Sequence, residues 1–311
     1  MNNQILISID HGNKNMKILG ENGENVCFSS GYVESSVEPI SVDNLLCYCN
    51  KYYSIGNSRF SVIFDKSTNE KFFILSLAGI ASVLNHYQIK NANVMLTVGL
   101  PIVSFGNLKK KFQQYFVRDN VQFSFNGQDY KISIKNCFVF PQGYSAFLTV
   151  FKDFKDVQVV CCDIGGYTAD IFTVNKGGKL DVGSATSINK GVITFFRDIQ
   201  QELLKQDIRI SEEQIEETLK ENAPIVFDEK IINLIQQKAE QYIEDLLDEI
   251  REMGYETKIN PMLFIGGGAM LLRKFIEKSN KVGYVEFLDQ YANCRGYQLL
   301  ARKALSMKEG E

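Results

Sequence analysis

With 311 residues the chain is long enough for two hydrophobic cores of about 150 residues each rather than one. Hydrophobic residues at 45% and charged residues at 23% exclude a disordered chain and leave enough apolar side chain for two buried sheets. Lysine and arginine number 34 against 37 aspartates and glutamates, a formal charge of -3, and this scattered balance argues against direct nucleic-acid binding through a basic footprint.

The opening MNNQILISIDHG has neither a basic start nor a long apolar stretch, so neither export nor membrane insertion is expected. The segment Ile5 to Leu19, ILISIDHGNKNMKIL, predicts a strand, a short polar turn and a second strand, with a third strand at Val26 to Ser29. Another strand is predicted at Val94 to Thr97, ending in Gly99-Leu100-Pro101, then a helix from about Asn107 to Phe116. Lys109, Lys110 and Lys111 precede the apolar Phe112 and Phe116, so they are expected on the solvated face of that helix. Two strands follow near Val121 to Ile134. The strand Phe138 to Phe140 stops at Pro141, and Gly143 to Phe151 has helical spacing, which predicts a helix bridging two lobes.

The segment Val159 to Phe172, VVCCDIGGYTADIF, repeats the plan of the first hairpin. Asp10 matches Asp163 and Gly12 matches Gly165, while Asn15 falls opposite Thr168 and Lys17 opposite Asp170. A third strand, Leu180 to Thr186, again follows, after the tight turn Asn175 to Lys179. Two such meanders predict two lobes built on one scheme. Helical periodicity then places Val192, Phe195, Phe196, Ile199, Leu203 and Leu204 on one face. Ser211 with Gln214 reads as a capping box opening a short helix that ends near Asn222. A long helix from about Asp228 to Met253 is stopped by Gly254; core packing is the expected role, a coiled coil the alternative. The buried strand Pro261 to Ile265 leads into Gly266, Gly267 and Gly268, then a helix from Ala269 to about Glu277. A last strand near Tyr284 to Phe287 and a helix from Ala292 to about Leu305 precede a polar, frayed tail, SMKEGE.

The chemistry resides in the turns. An Asp at a strand end just before a Gly turn sets a carboxylate beside backbone N–H groups that can cradle phosphate, and Gly removes the Cβ that would block close approach. Two such turns can grip a polyphosphate, with Asp10 and Asp163 holding Mg²⁺ largely through its waters. Lys17 can reach the β- or γ-phosphate; the plain alternative is an exposed strand lysine. Gly266, Gly267 and Gly268 are either a tight strand-to-helix turn needing positive φ, or bare backbone on which a base and ribose lie at a helix N-terminus. No GxxxxGK[ST] loop and no GxGxxG fingerprint after the first strand is present, so the site is neither P-loop nor Rossmann. Seven cysteines form no CxxC pair and no zinc spacing, which fits reduced thiols in a cytoplasmic protein; Cys161 and Cys162 are expected to be small core residues.

The order of first phosphate turn, connecting helix, second phosphate turn, glycine-rich segment and final helix resembles the actin, sugar-kinase and heat-shock chaperone superfamily. Gly99-Leu100-Pro101 after the Val94 strand and the terminal QYANCRGYQLLA are similar to the bacterial ParM-type actin-like proteins of plasmid segregation. The resemblance implies an α/β, two-lobed actin-like fold, each lobe a mixed five-stranded sheet flanked by helices, with a nucleotide cleft between the lobes. It divides the chain into residues 1–155 with 288–311 as the first lobe, with an insertion at about 30–92. Residues 156–287 make the second, with a helical insertion at about 189–257.

It further implies a filament-forming ATPase with ATP and Mg²⁺, GTP being left open, whose partners are further copies of itself and an adaptor protein bound to centromere-like DNA. The nucleotide contacts it implies are Gly12, Asn13, Lys14, Asn15 and Lys17, then Gly165, Gly166, Tyr167 and Thr168, and the three glycines 266–268. Gln142 becomes the residue that positions the attacking water, and Asp10 and Asp163 complete the catalytic set. Here the chain departs from ParM, which carries a carboxylate at the place of Gln142, and sides with actin. His11 and Tyr167 are also larger than the residues usual in these turns; for His11 a solvent-facing hairpin tip and a functional role stand side by side. Two other functions share the fold: a small-molecule kinase, and a non-hydrolysing nucleotide-binding scaffold.

Overall fold

The computed structural model describes residues 4–40, 43–221 and 227–309. The chain divides into two compact units, Met1–Thr149 with Tyr291–Glu311, and Val150–Gln290.

In the first unit, β1 (Gln4–His11), β2 (Asn15–Gly20) and β3 (Asn25–Ser29) form the antiparallel meander. β4 (Tyr32–Ser35), β5 (Leu45–Tyr48) and β6 (Lys51–Ile55) are short strands, followed by α1 (Lys71–His86), β7 (Asn91–Leu100) and α2 (Ile102–Phe116). The hairpin β8 (Arg118–Phe125) and β9 (Gln128–Pro141) leads to the single turn α3 (Tyr144–Phe147). β1, β7 and β9 run parallel. Five strands were expected; the sheet has nine, in the order β3-β2-β1-β7-β9-β8-β5-β6-β4. The extra four arise because β9 is one strand of 14 residues whose first half also pairs with β8, and β8 in turn pairs with β5.

Alternation sorts the residues of β1 onto two faces. Ile5, Ile7 and Ile9 enter the core under α1 and α2, with Phe72, Phe73, Phe112 and Phe116. Leu6 lies on the other face with Met95 and with Ala301 of the final helix. Lys109, Lys110 and Lys111 are exposed on α2, as its periodicity predicts.

The second unit opens with a one-turn helix, α4 (Phe151–Phe154), followed by β10 (Val159–Ile164), β11 (Ala169–Asn175) and β12 (Lys179–Ile188). Then come α5 (Val192–Leu204), α6 (Glu212–Leu219), α7 (Glu229–Glu252), β13 (Met262–Ile265), α8 (Gly266–Lys278) and β14 (Val285–Leu288). Its sheet has five strands in the order β12-β11-β10-β13-β14. The order matches β3-β2-β1-β7-β9, with the same antiparallel meander and the same two parallel neighbours. One face of β10, through Val160, Cys162 and Ile164, packs on Phe195 and Phe196 of α5, on α7 and on α8. α7 contributes Ile235, Ala239, Ile243, Leu246, Leu247 and Ile250 to that core, so it is a packing helix. Cys161 and Cys162 are fully buried, and burial pushes both thiols up. The capping box forms as its letters predict: Ser211 Oγ accepts from Gln214 N–H and Gln214 Oε1 accepts from Ser211 N–H. α6 ends at Leu219; Asn222, where its end was expected, lies outside the described residues.

The chain returns to the first unit as α9 (Ala292–Glu309), which runs four residues beyond the expected end at Leu305, so the tail is helical as far as Glu309. Among the described residues no helix is long and apolar enough to cross a membrane.

Three further expectations are corrected. Gly143 to Phe151 is not one helix: Gly143 takes φ 70°, α3 closes after one turn, and Thr149 Oγ1 donates to Ala146 O at 2.7 Å before α4 begins at Phe151. The three glycines do not precede α8 but form its first turn, the helix starting at Gly266. His11 is not a solvent-facing hairpin tip; β1 continues one residue further than its letters suggest, and alternation then turns the imidazole into the core.

Candidate functional site

Parallel register aligns the carboxyl ends of β1, β7 and β9, because Ile9 pairs with Val98 and Val98 with Val139. Asp10, Gly99 and Gln142 therefore meet at one end of the sheet, where open α/β sheets bind ligands. Asp10 and Lys17 are cross-strand partners, which puts both side chains on one face. Lys17 Nζ lies 3.2 Å from Asp10 Oδ2 and Gln142 Nε2 donates to Asp10 Oδ1 at 2.7 Å. The carboxylate is buried, 5% exposed for the residue, and is held by a cation on one oxygen and an amide on the other.

The backbone around this trio requires glycine at two places. A Cβ on Gly12 would stand 2.5 Å from Asn15 O and 3.0 Å from Lys17 Nζ, so the tight turn and the ammonium both depend on its absence. A Cβ on Gly99 would meet Tyr297 Oη at 1.9 Å and Gln142 Cγ at 2.8 Å; this glycine of the Gly99-Leu100-Pro101 triplet seats Gln142. Gly143 N donates to the buried Asn293 Oδ1 at 2.8 Å and Gln142 N to Leu100 O at 2.8 Å, which fixes the backbone on both sides of the Gln142 side chain.

The other residues of the first turn have roles in its framework. Gly12 O accepts from Ser30 Oγ at 2.6 Å, Lys14 O from Ser30 N at 2.9 Å, and Asn13 Oδ1 from Ile63 N at 3.2 Å. Asn15 opens β2 and pairs with Ser29.

His11 faces the opposite side of the sheet. It is fully buried among the rings of Phe72, Phe112 and Phe116, and its Nε2 lies 2.8 Å from Ser76 Oγ. Ser76 gives its only proton to Phe72 O at 2.7 Å, so it accepts from His11, which assigns the proton to Nε2 and leaves Nδ1 bare. Burial, reinforced by the Lys66 ammonium, holds the imidazole well below its usual range. The native state therefore stays neutral while the unfolded chain takes up a proton below about pH 6.5, and stability falls as the pH drops through that value by at most about 1.4 kcal/mol per pH unit. Urea unfolding between pH 7.5 and 5.5 is expected to reveal this slope in the wild type and lose it in His11→Leu; equal slopes would contradict the assignment.

In the second unit the same register aligns β10, β13 and β14, with Asp163 paired to Ile265 and Ile265 to Leu288. Asp163 is also the cross-strand partner of Asp170, so where the first copy sets Lys17 beside its aspartate the second sets another carboxylate, and Asp170 Oδ1 accepts from Ser187 Oγ at 2.5 Å. Asp170, which the alignment of the two hairpins sets opposite Lys17, thus joins Asp163 on the same face of the second sheet.

The second turn is built on the start of α5. Val192 N donates to Gly165 O at 3.1 Å and Ile193 N to Gly166 O at 2.8 Å, while Gly165 N donates to Thr168 O at 2.8 Å. In a trans peptide the N–H points opposite to the C=O. With both carbonyls turned toward α5, the N–H groups of Gly166 and Tyr167 are directed away from it, as an anion-binding turn requires. Gly191 brings helix and turn into contact: a Cβ there would be 2.4 Å from Tyr167 C and 2.5 Å from Gly166 O.

The three glycines divide by role. Gly266 has φ 93°, and a Cβ on it would lie 2.9 Å from Asp163 Oδ1. Gly268 packs on Ile164, whose carbonyl oxygen a Cβ would meet at 2.6 Å. Gly267 has room, the nearest atoms being those of Gln290 at 3.7 Å. Two glycines thus serve conformation and packing, and Gly267 alone presents spare backbone at the N-terminus of α8, whose N–H groups lack helical partners.

Asp10, Gly12, Asn13, Lys14, Asn15, Lys17 and Gln142 thus come together in the first unit. Asp163, Gly165, Gly166, Tyr167, Thr168 and the glycines 266–268 come together in the second. Among the described residues no group of three or more His, Cys, Asp or Glu side chains forms a metal site. A groove of about 760 Å³ at Cys47, Tyr48, Lys90 and Lys131 in the first unit is open to solvent and contains none of the candidate residues.

Two family descriptions match in tandem: "Actin like proteins N terminal domain" over residues 8–144 and "Archaeal actin homologue MreB-like, C-terminal" over residues 161–278. The chain belongs to the actin-like proteins. Its fold is that of ParM and the archaeal actin homologues.

A 15-stranded ParM filament from Clostridium botulinum superposes with a TM-score of 0.76 at 17% identity, over 97% of this chain and 100% of that one. The archaeal actin homolog Ta0583 in complex with ADP gives 0.74 at 18%, over 96% and 100%. Bacillus thuringiensis ParM with ATP gives 0.70 at 14%, over 98% and 100%. No curated protein matches the chain in sequence.

Proposed function

We propose that the chain is a filament-forming ATPase of the ParM type, which uses its two Asp-x-Gly turns to bind Mg-ATP and segregates plasmid DNA through nucleotide-driven polymerisation. The observation that carries this reading is the duplication: β3-β2-β1-β7-β9 of the first sheet and the five strands of the second follow one order, and each set carries an aspartate and a glycine turn at the same register. A pair of equivalent turns suits a linear polyphosphate, one turn for each stretch of it. The relatives with ADP, with ATP and in a filament favour the same function.

In this reading the backbone N–H groups of Asn13 to Asn15 and of Gly166 and Tyr167 bind phosphate oxygens, Gly12 leaves them room, and Lys17 neutralises their charge. Asp10 and Asp163 hold the waters of a magnesium ion, which supplies charge stabilisation at the transferring phosphoryl group. Asp10 can do so while keeping Lys17 and Gln142, because a carboxylate offers about four lone-pair sites. Gly267 leaves backbone bare for the nucleoside. Gln142 cannot act as a base, since an amide does not accept a proton at neutral pH; anchored on Asp10, it orients the attacking water by hydrogen bonding. Turnover is slow, and the γ-phosphate favours the polymerising conformation. An adaptor protein bound to centromere-like DNA engages the filament, which leaves this chain no need of a basic surface. A cytoplasmic setting accompanies the reading.

Light scattering of the purified protein is expected to rise with Mg-ATP, with phosphate release following, and to stay flat with Mg-ADP or no nucleotide. Scattering that ignores nucleotide, or ADP release that requires an added sugar, would contradict the reading and favour a scaffold or a small-molecule kinase. Gln142→Ala is expected to slow phosphate release by roughly ten-fold or more while filaments persist longer; release at the wild-type rate would remove Gln142 from its role.

A further inference from the structure

The loop between β6 and α1 folds over the first turn. Phe60 N donates to Ser30 O at 2.9 Å and Ile63 N to Asn13 Oδ1 at 3.2 Å, so the loop is tied to the turn itself and to the strand end beside it. Further along, Asp65 accepts from Ser67 N at 3.0 Å and pairs with Lys111 at 2.6 Å, and Tyr115 Oη donates to Asn69 O at 2.7 Å. Between these anchors lies Lys66. It is half-buried, its ammonium donates to the backbone carbonyl of His11, and it stands 5.5 Å from the Phe72 ring centroid.

We propose that Lys66 is a second phosphate-binding cation of the first unit, supplied by this loop to the polyphosphate of a bound nucleoside triphosphate; the inference rests on the nucleotide reading above. The His11 carbonyl is one residue from Asp10 and one from Gly12, and Lys17 already covers the Asp10 side chain. Two ammonium groups therefore meet at the consecutive residues Asp10 and His11, where β1 enters the turn, one from β2 and one from a loop some fifty positions later in sequence. A neutral carbonyl gives an ammonium a hydrogen bond without a counter-charge, whereas an anionic phosphate oxygen adds the attraction of an ion pair to the same bond. Redirecting Lys66 from His11 O to a phosphate gains that difference without moving the loop, because the side chain is flexible and its base is anchored on both sides.

The test is Mg-ATP affinity by calorimetry for the wild type, Lys66→Gln and Lys66→Arg, with urea unfolding of each. Gln keeps a donor for the His11 carbonyl and loses the charge; Arg keeps both. Binding weakened roughly ten-fold or more in Lys66→Gln, and within about three-fold of wild type in Lys66→Arg, is the expected result. Lys66→Gln binding Mg-ATP as tightly as the wild type would overturn the proposal and leave the nucleotide reading standing. Equal losses of affinity and stability in both variants would also overturn it, in favour of a purely structural tie. A wild-type protein that binds no Mg-ATP would remove the nucleotide reading itself, and this inference with it.

Discussion

Asp163→Ala is expected to abolish ATP turnover, by about a hundred-fold or more, in a protein that remains folded. Asp163 is the penultimate residue of β10, just before the second turn, and Gly266 stands so close that a Cβ on it would come within 2.9 Å of the carboxylate. The side chain shares its face with Asp170, its cross-strand partner. Truncation removes the carboxylate proposed to hold the metal's water shell and leaves the core residues of β10, Val160, Cys162 and Ile164, in place. Function and stability should therefore separate. Phosphate release measured alongside urea unfolding checks this, with Asp163→Asn as a variant closer in shape. Turnover at the wild-type rate in either variant would remove Asp163 from the site.

Gly191→Ala is expected to destabilise the second unit by about 3 kcal/mol and to weaken nucleotide binding together with it. The backbone at Gly191, φ -103° and ψ 170°, suits any residue, so the cost is steric rather than conformational. All three atoms that a new Cβ would meet, at 2.4 to 2.5 Å, belong to the Gly166–Tyr167 backbone and cannot rotate aside. The turn must retreat, and the bonds from Val192 N and Ile193 N to the carbonyls of Gly165 and Gly166 stretch or break. Those bonds orient the N–H groups assigned to phosphate. Gly267→Ala is the contrasting control: its Cβ would meet Gln290 at an ordinary 3.7 Å, and alanine in a first helical turn is no worse than glycine. It should leave stability intact while reducing nucleotide affinity, since only a ligand lying on that backbone would feel the methyl group. A Gly191→Ala protein with an unchanged urea midpoint would contradict the packing argument.

Much of the site was legible because it depends on local pattern. The alternation of Ile5 to Asp10 and of Val159 to Asp163, each broken by a glycine turn, was enough to align Asp10 with Asp163 and Lys17 with Asp170. In the strand registers Asp10 stands opposite Lys17 and Asp163 opposite Asp170, which agrees with that alignment. The capping box at Ser211 was legible for the same reason, since its two bonds span three residues.

What escaped the sequence depends on contacts between distant segments. Nothing in the letters around Lys66 indicates that its loop crosses the first turn, because the tie to Asn13 joins residues fifty apart. His11 was misplaced for want of one residue of strand: with β1 ending at Asp10 it would be a turn residue, and with β1 ending at His11 it belongs to the aromatic core of α1 and α2. The glycines 266–268 looked alike in sequence, and only the neighbours Asp163, Gln290 and Ile164 distinguish them. Three of the four additional strands of the first sheet, β4, β5 and β6, have only four or five residues of mixed burial, too brief for a periodicity to be read, whereas the fourth, β8, lies in the stretch read as strand near Val121 to Ile134.

The most direct test of a polyphosphate held by both turns is calorimetric titration of Mg-ATP into the wild type, Asp10→Ala and Asp163→Ala. One saturable site in the wild type, weakened about ten-fold or more by each substitution on its own, is the predicted result. Undiminished binding in either variant would mean that a single turn suffices, and would contradict the two-turn site.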